Sequence, residues 1–168
     1  VVSGDYKTQP DPTCAPFEVL RCNTFITEAT FALPVYNWPS QDTVIDQINR
    51  WWQLNKDQGK SSLIYCYALG KAQRLLSLVD AGIGPVFTHG AVERLNNQYR
   101  VSGVKLPETT FVSRVENRKE FQGALVLAPP SAMGTLWLRR LGNVSTAFAS
   151  GWMLVRGARR RRSVDRGF

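Results

Sequence analysis

Two acidic residues near the start of the chain have the types and surroundings that could do chemistry. Asp5 stands in Ser3-Gly4-Asp5-Tyr6-Lys7, just after a short β-branched run. Glu28 stands in Phe25-Ile26-Thr27-Glu28-Ala29-Thr30-Phe31, at the end of an apolar stretch. A carboxylate placed just past a strand can reach a metal bound at the strand ends, and a glycine before it lets the backbone turn sharply. A lone Gly-Asp is most often a turn. Two acidic residues at two strand ends, joined by one loop, are consistent with a shared carboxylate site.

The remaining reactive residue types exclude more than they offer. Gly70-Lys71 follows a predicted strand and precedes a helix, but it has no glycine five residues before Gly70 and is followed by Ala72, so it is not a Walker phosphate loop. No GxGxxG follows a strand, and Ala149-Ser150-Gly151 is not a hydrolase nucleophile elbow. His89, the single histidine, precedes Gly90 at a strand end, a place more often structural than catalytic. A self-contained His-rich zinc site cannot be built from this chain. Cys14, Cys22 and Cys66 are odd in number and lack CxxC spacing, which fits free thiols in a reducing cytoplasm better than disulfides or a zinc knuckle. The formal net charge of +8 is uneven: Arg156, Arg159, Arg160, Arg161, Arg162 and Arg166 crowd the C-terminal end. Guanidinium groups in such density suit phosphate contacts, and equally a solvated basic terminus.

These residues need a scaffold, and the pattern of the chain predicts one. Hydrophobic residues at 43% and charged residues at 20% describe an ordinary globular balance. No apolar stretch approaches the roughly 18 to 20 residues that cross a bilayer. The three prolines of residues 8–16 mark a loop, and Val19 to Ile26 reads as a strand. Ser40 to Asp42 offer N-caps to a helix with Val44, Ile48 and Trp51 on one face, running to about Lys56. Ser62 to Tyr67 suits a strand buried on both faces, followed by a helix from Lys71 to Val79. Pro85 to Thr88 predicts a strand, and Val92, Leu95 and Tyr99 a third helix. After a polar stretch, Ala124 to Leu127 predicts a strand, Ser131 caps a helix through about Leu141, and Thr146 to Ser150 is a last strand. Short apolar strands alternating with amphipathic helices give an α/β fold with a parallel sheet flanked by helices.

Several segments together carry a resemblance: Ser3 to Lys7, Asp11-Pro12-Thr13-Cys14, Thr24 to Phe31, Ala68-Leu69-Gly70-Lys71-Ala72-Gln73-Arg74, Trp137-Leu138-Arg139-Arg140, Ala149 to Met153, and Arg159 to Phe168. In this order and spacing, over essentially the whole chain, they resemble the ligase-associated DNA exonucleases. These are bacterial relatives of the mRNA 3′-end processing factors in the metallo-β-lactamase/β-CASP superfamily. The resemblance implies that Asp5 is the fourth metallo-β-lactamase motif, an aspartate bridging two metal ions. It implies that Glu28 is the first β-CASP motif, an acidic residue serving the catalytic centre beside them. The implied cofactors are two divalent metal ions, zinc by expectation, activating a bridging water toward a phosphodiester. The implied domains are a partial metallo-β-lactamase segment at 1–36, a β-CASP domain at 37–155, and a basic segment at 156–168 returning to the first domain.

The resemblance also defines what is missing. The HxHxDH motif and the histidines of the later β-CASP motifs do not occur in this chain, and Ala29 stands where relatives often carry serine. The chain is therefore expected to be a section of a longer cytoplasmic nuclease, inactive alone, with an incomplete metal site. Expected partners are DNA or RNA, with an ATP-dependent DNA ligase and a helicase beside it. The alternative is a non-catalytic basic α/β domain that only binds nucleic acid. It explains the charge and the scarcity of histidine, but gives Asp5 and Glu28 no use.

Overall fold

A computed structural model describes residues 1–30, 32, 36–154 and 164–168. Its centre is a run of residues too apolar to be left in water. Ser61–Tyr65 forms β3, every residue of it buried, and Leu125–Ala128 forms the equally buried β6. They pair in parallel with Leu63 opposite Val126. Around them Val86–Thr88 (β4), Thr110–Phe111 (β5), Val144–Phe148 (β7) and Arg166–Gly167 (β8) complete a six-stranded sheet in the order β5-β4-β6-β3-β7-β8. All its described pairings are parallel. The expected α/β class, with a parallel sheet flanked by helices, is what the chain adopts.

Side chains alternate across the sheet, so each strand feeds two cores. Ile64, Leu125, Leu127 and Ala147 face one core, against Gln41–Asp57 (α1), Lys71–Leu78 (α2) and Val92 of Gly90–Val101 (α3). Leu63, Tyr65, Val126 and Phe148 face the other, where short 3-10 segments contribute Val112, Phe121, Leu141 and Met153. Helix α1 begins as its sequence predicts, with the Ser40 hydroxyl accepting from the Thr43 amide at 3.2 Å. Trp52 is fully buried, and its indole N–H donates to the Gly123 carbonyl at 2.9 Å. That bond lets a large aromatic enter the core without stranding its donor.

Two expectations are corrected. The strand predicted over Val19 to Ile26 shrinks to Ile26–Thr27 (β2), because residues 19–25 are exposed and have no strand beside them to pair with among the described residues. β2 pairs in parallel with Val2–Ser3 (β1), a two-stranded sheet separate from the larger one. The helix predicted from Ser131 to Leu141 is instead two 3-10 turns, Pro130–Ala132 and Leu136–Leu141. Gly134 between them has a φ of +73°, a left-handed conformation that no right-handed helix passes through. Edge strands β5 and β8 were not predicted; two residues each are too short for any period to show.

The order of the strands opens a crevice. After β3 the chain crosses by α2 toward β4 on one side, and after β7 it continues to β8 on the other. In open parallel sheets, such a divergence leaves a gap outside the carboxyl ends of the two strands.

Candidate functional site

The small β1–β2 sheet brings the two carboxylates together. Val2 is opposite Ile26 and Ser3 opposite Thr27. The N-terminal ammonium donates to the Thr24 carbonyl at 2.8 Å, and the Ile26 amide donates to the Val1 carbonyl at 2.9 Å. Asp5 lies two residues past the end of β1 and Glu28 one past the end of β2. Parallel pairing puts both at the same end. The Glu28 carboxylate accepts from the Thr30 hydroxyl and from the Thr30 amide at 2.5 Å. Those two bonds outweigh desolvation and hold the Glu28 carboxyl below its ordinary range, with smaller contributions from Asp5 and the Ala29 amide.

They do not make a metal site by themselves. Among the described residues no group of three or more His, Cys, Asp or Glu side chains comes together. A tightly held transition metal takes about four protein or water ligands. Asp5 and Glu28 are exposed and could supply two.

The other candidates divide cleanly. Arg156, Arg159, Arg160, Arg161 and Arg162 lie outside the described residues. Arg166 is exposed on β8, with its guanidinium 5.6 Å from the centre of the Phe168 ring. His89 caps α3, its Nδ1 accepting from the Ala91 amide at 3.1 Å, and its ring meets Trp137 edge-on at 5.1 Å. Burial and then the nearby Arg94 charge push its pKa down. It is a helix cap. Cys14 and Cys22 are exposed free thiols. Cys66 is buried, and burial pushes its thiol up to about 12, against the opposing pull of Lys71.

A second constellation went unassigned at the level of sequence. Asp11 of the N-terminal loop meets Arg74 of α2 at 3.4 Å and Lys7 at 3.8 Å. The Thr13 amide and hydroxyl donate to the same carboxylate at 2.9 and 2.6 Å. Partial burial opposes the charge on Asp11. The Thr13 bonds, then Arg74 and Lys7, outweigh it and lower its pKa. Arg74 also donates through Nε to the Gln41 side-chain carbonyl at 2.9 Å, tying the loop to both α1 and α2. The resemblance quotes both segments, Asp11 to Cys14 and Ala68 to Arg74, without a role. Only folding shows that they meet.

Behind this cluster lies a cavity of about 490 Å³, in the crevice outside the carboxyl ends of β3 and β7. Lys7, Lys71 and Arg74 line it together with the apolar Trp38, Leu75 and Phe168. Gly70, with a φ of +78°, turns the chain from β3 into α2. The Gln73 side chain fastens that turn: its carbonyl accepts from the Gly70 amide at 2.8 Å, and its amide donates to the Ala68 carbonyl at 3.0 Å. Gln73 is itself anchored to the buried Asn96 of α3 at 2.8 Å. The position of Lys71 is thus set by three elements.

No family model matches the chain. A protein of Opitutus terrae described as a probable DNA ligase is 26% identical over 166 residues, covering 99% of this chain and 16% of that protein. The chain therefore spans less than a fifth of the relative it matches. No helix among the described residues is long and apolar enough to cross a membrane.

Proposed function

We propose that this chain is a section of a metal-dependent nuclease of the metallo-β-lactamase/β-CASP kind, hydrolysing phosphodiester bonds in DNA during repair. The observation that carries the reading is the meeting of Asp5 and Glu28 at one end of two paired parallel strands. In this reading β1 and β2 belong to the edge of the lactamase domain, and the six-stranded sheet is the β-CASP domain facing the nucleic acid. Asp5 contributes one ligand to a metal pair and Glu28 supports the centre. The remaining ligands come from elsewhere in a longer protein, so the chain alone is inactive. The similarity to a probable DNA ligase, over a minor part of its length, favours DNA over RNA as substrate. A net charge of +8 suits a polyanionic partner.

The test uses the full-length protein and an end-labelled DNA strand. Cleavage should vanish on chelation, return with zinc or manganese, and fall on the order of 100-fold or more in Asp5→Asn. A chelation-resistant or Asp5-independent rate would refute the assignment. The second reading, a binding domain with no chemistry, draws on the absence of any three-residue metal cluster among the described residues. It predicts salt-sensitive DNA binding and no cleavage by the full-length protein.

A further inference from the structure

The cavity between β3 and β7 holds charge that the Asp5–Glu28 pair does not use. Among the described residues three cations line it, Lys7, Lys71 and Arg74, and no aspartate or glutamate does. Asp11, outside the lining, compensates Lys7 and Arg74 only. Lys71 forms no ion pair among the described residues, and its Nζ lies 5.9 Å from the centre of the Tyr67 ring. Burial lowers its pKa, Cys66 opposes that, and the Arg74 charge adds to it. Lys7 Nζ is buried with no hydrogen-bond acceptor among the described residues. Cations kept short of water and short of carboxylates are unfavourable unless an anion arrives. The same cavity also has an apolar lining: Trp38, Leu75 and Phe168, of which Leu75 and Phe168 are buried.

We infer that this cavity takes one nucleotide unit of a single-stranded nucleic acid, its phosphate on Lys71 and Arg74 and its base against the apolar side chains among its lining residues, Trp38 and Leu75. The volume suits a ligand of that size. The place, outside the carboxyl ends of parallel strands whose connections diverge, is where such sheets bind ligands. A phosphate alone would leave the apolar lining unused, and a purely apolar ligand would leave Lys71 without a counter-charge. Gln73 is a positioning residue, holding the Gly70 turn from which Lys71 lines the cavity. The inference rests on the nucleic-acid reading above but needs neither metal nor cleavage.

The experiment measures binding of a fluorescent single-stranded oligodeoxynucleotide to this chain by anisotropy over a range of salt. Lys71→Met should weaken binding about tenfold. It should also lower the slope of log affinity against log salt by about 0.7, the share of one phosphate contact. Lys71→Arg should retain most of the affinity, and Lys105→Met, an exposed lysine away from the cavity, should change little. A deoxynucleoside monophosphate should compete for wild type, and inorganic phosphate at equal concentration much less. Equal losses in Lys71→Met and Lys105→Met would overturn the site. Equal competition by inorganic phosphate would overturn the base-binding lining. Loss of binding in Lys71→Met without nuclease activity in the full-length protein would leave the cavity standing and sink the nuclease. Asp5-dependent cleavage with Lys71-independent binding would do the reverse.

Discussion

The two sheets of this molecule are built on opposite terms. The six-stranded sheet buries both faces, and β3 and β6 have no exposed residue. The β1–β2 pair is two residues wide, and Val2 and Ile26 are 79% and 59% exposed. One region holds the fold and presents few reactive groups. The other holds little and presents Asp5 and Glu28 to solvent. The contrast teaches where each kind of change will be felt. A substitution in the first should be read in stability, and one in the second in chemistry. What joins them is the Asp11 cluster, which fastens the N-terminal loop to α2 through Arg74.

The sharpest way to break this comparison is in the core. Trp52→Ala removes a fully buried indole and strands the Gly123 carbonyl, and should cost about 3–5 kcal/mol of unfolding free energy in urea. A loss under 1 kcal/mol would mean that the large sheet is not where stability resides. Next is Asn55→Ala, which leaves the buried Ser62 hydroxyl without the amide that donates to it at 2.9 Å, and should cost about 1–3 kcal/mol. By contrast Asp5→Asn and Glu28→Gln, both exposed, should each leave the urea midpoint of unfolding unchanged. If either unfolds the chain, the division of labour fails.

The joint between the regions responds to pH. Asp11 has its pKa lowered in the folded state, so the folded chain binds fewer protons there than the unfolded chain. Its contribution is present above the unfolded carboxylate value and is lost as pH falls through the lowered folded value. Thermal melts from neutral pH downward should show that loss in wild type and a shallower one in Asp11→Asn. Identical pH profiles would show that the cluster does not hold the loop.

Much of the scaffold was legible because burial writes a period into the chain. Ile48, Trp51 and Trp52 mark one face of α1, and the short apolar run of Ser62 to Tyr67 suits a strand buried on both faces, which forms over Ser61–Tyr65. Where burial fails, so does the pattern. Val19 and Leu20 have strand-forming side chains but are 87% and 66% exposed, and no strand among the described residues pairs with them. The Ser131 to Leu141 helix failed for a local reason, the left-handed Gly134. Asp5 and Glu28 could be named from the sequence, but their parallel register came only with the fold. The Lys7–Asp11–Arg74 cluster was out of reach, since it joins residues 63 positions apart through contacts with no sequence period.

The central claim is that Asp5 and Glu28 act as one centre. The direct test measures DNA cleavage by the full-length protein as wild type, Asp5→Asn, Glu28→Gln and the double variant. Residues that act as a unit are not additive, so the double variant should lose no more activity than the worse single variant, with melting unchanged. Losses that multiply, or a single variant that keeps the wild-type rate, would contradict the account.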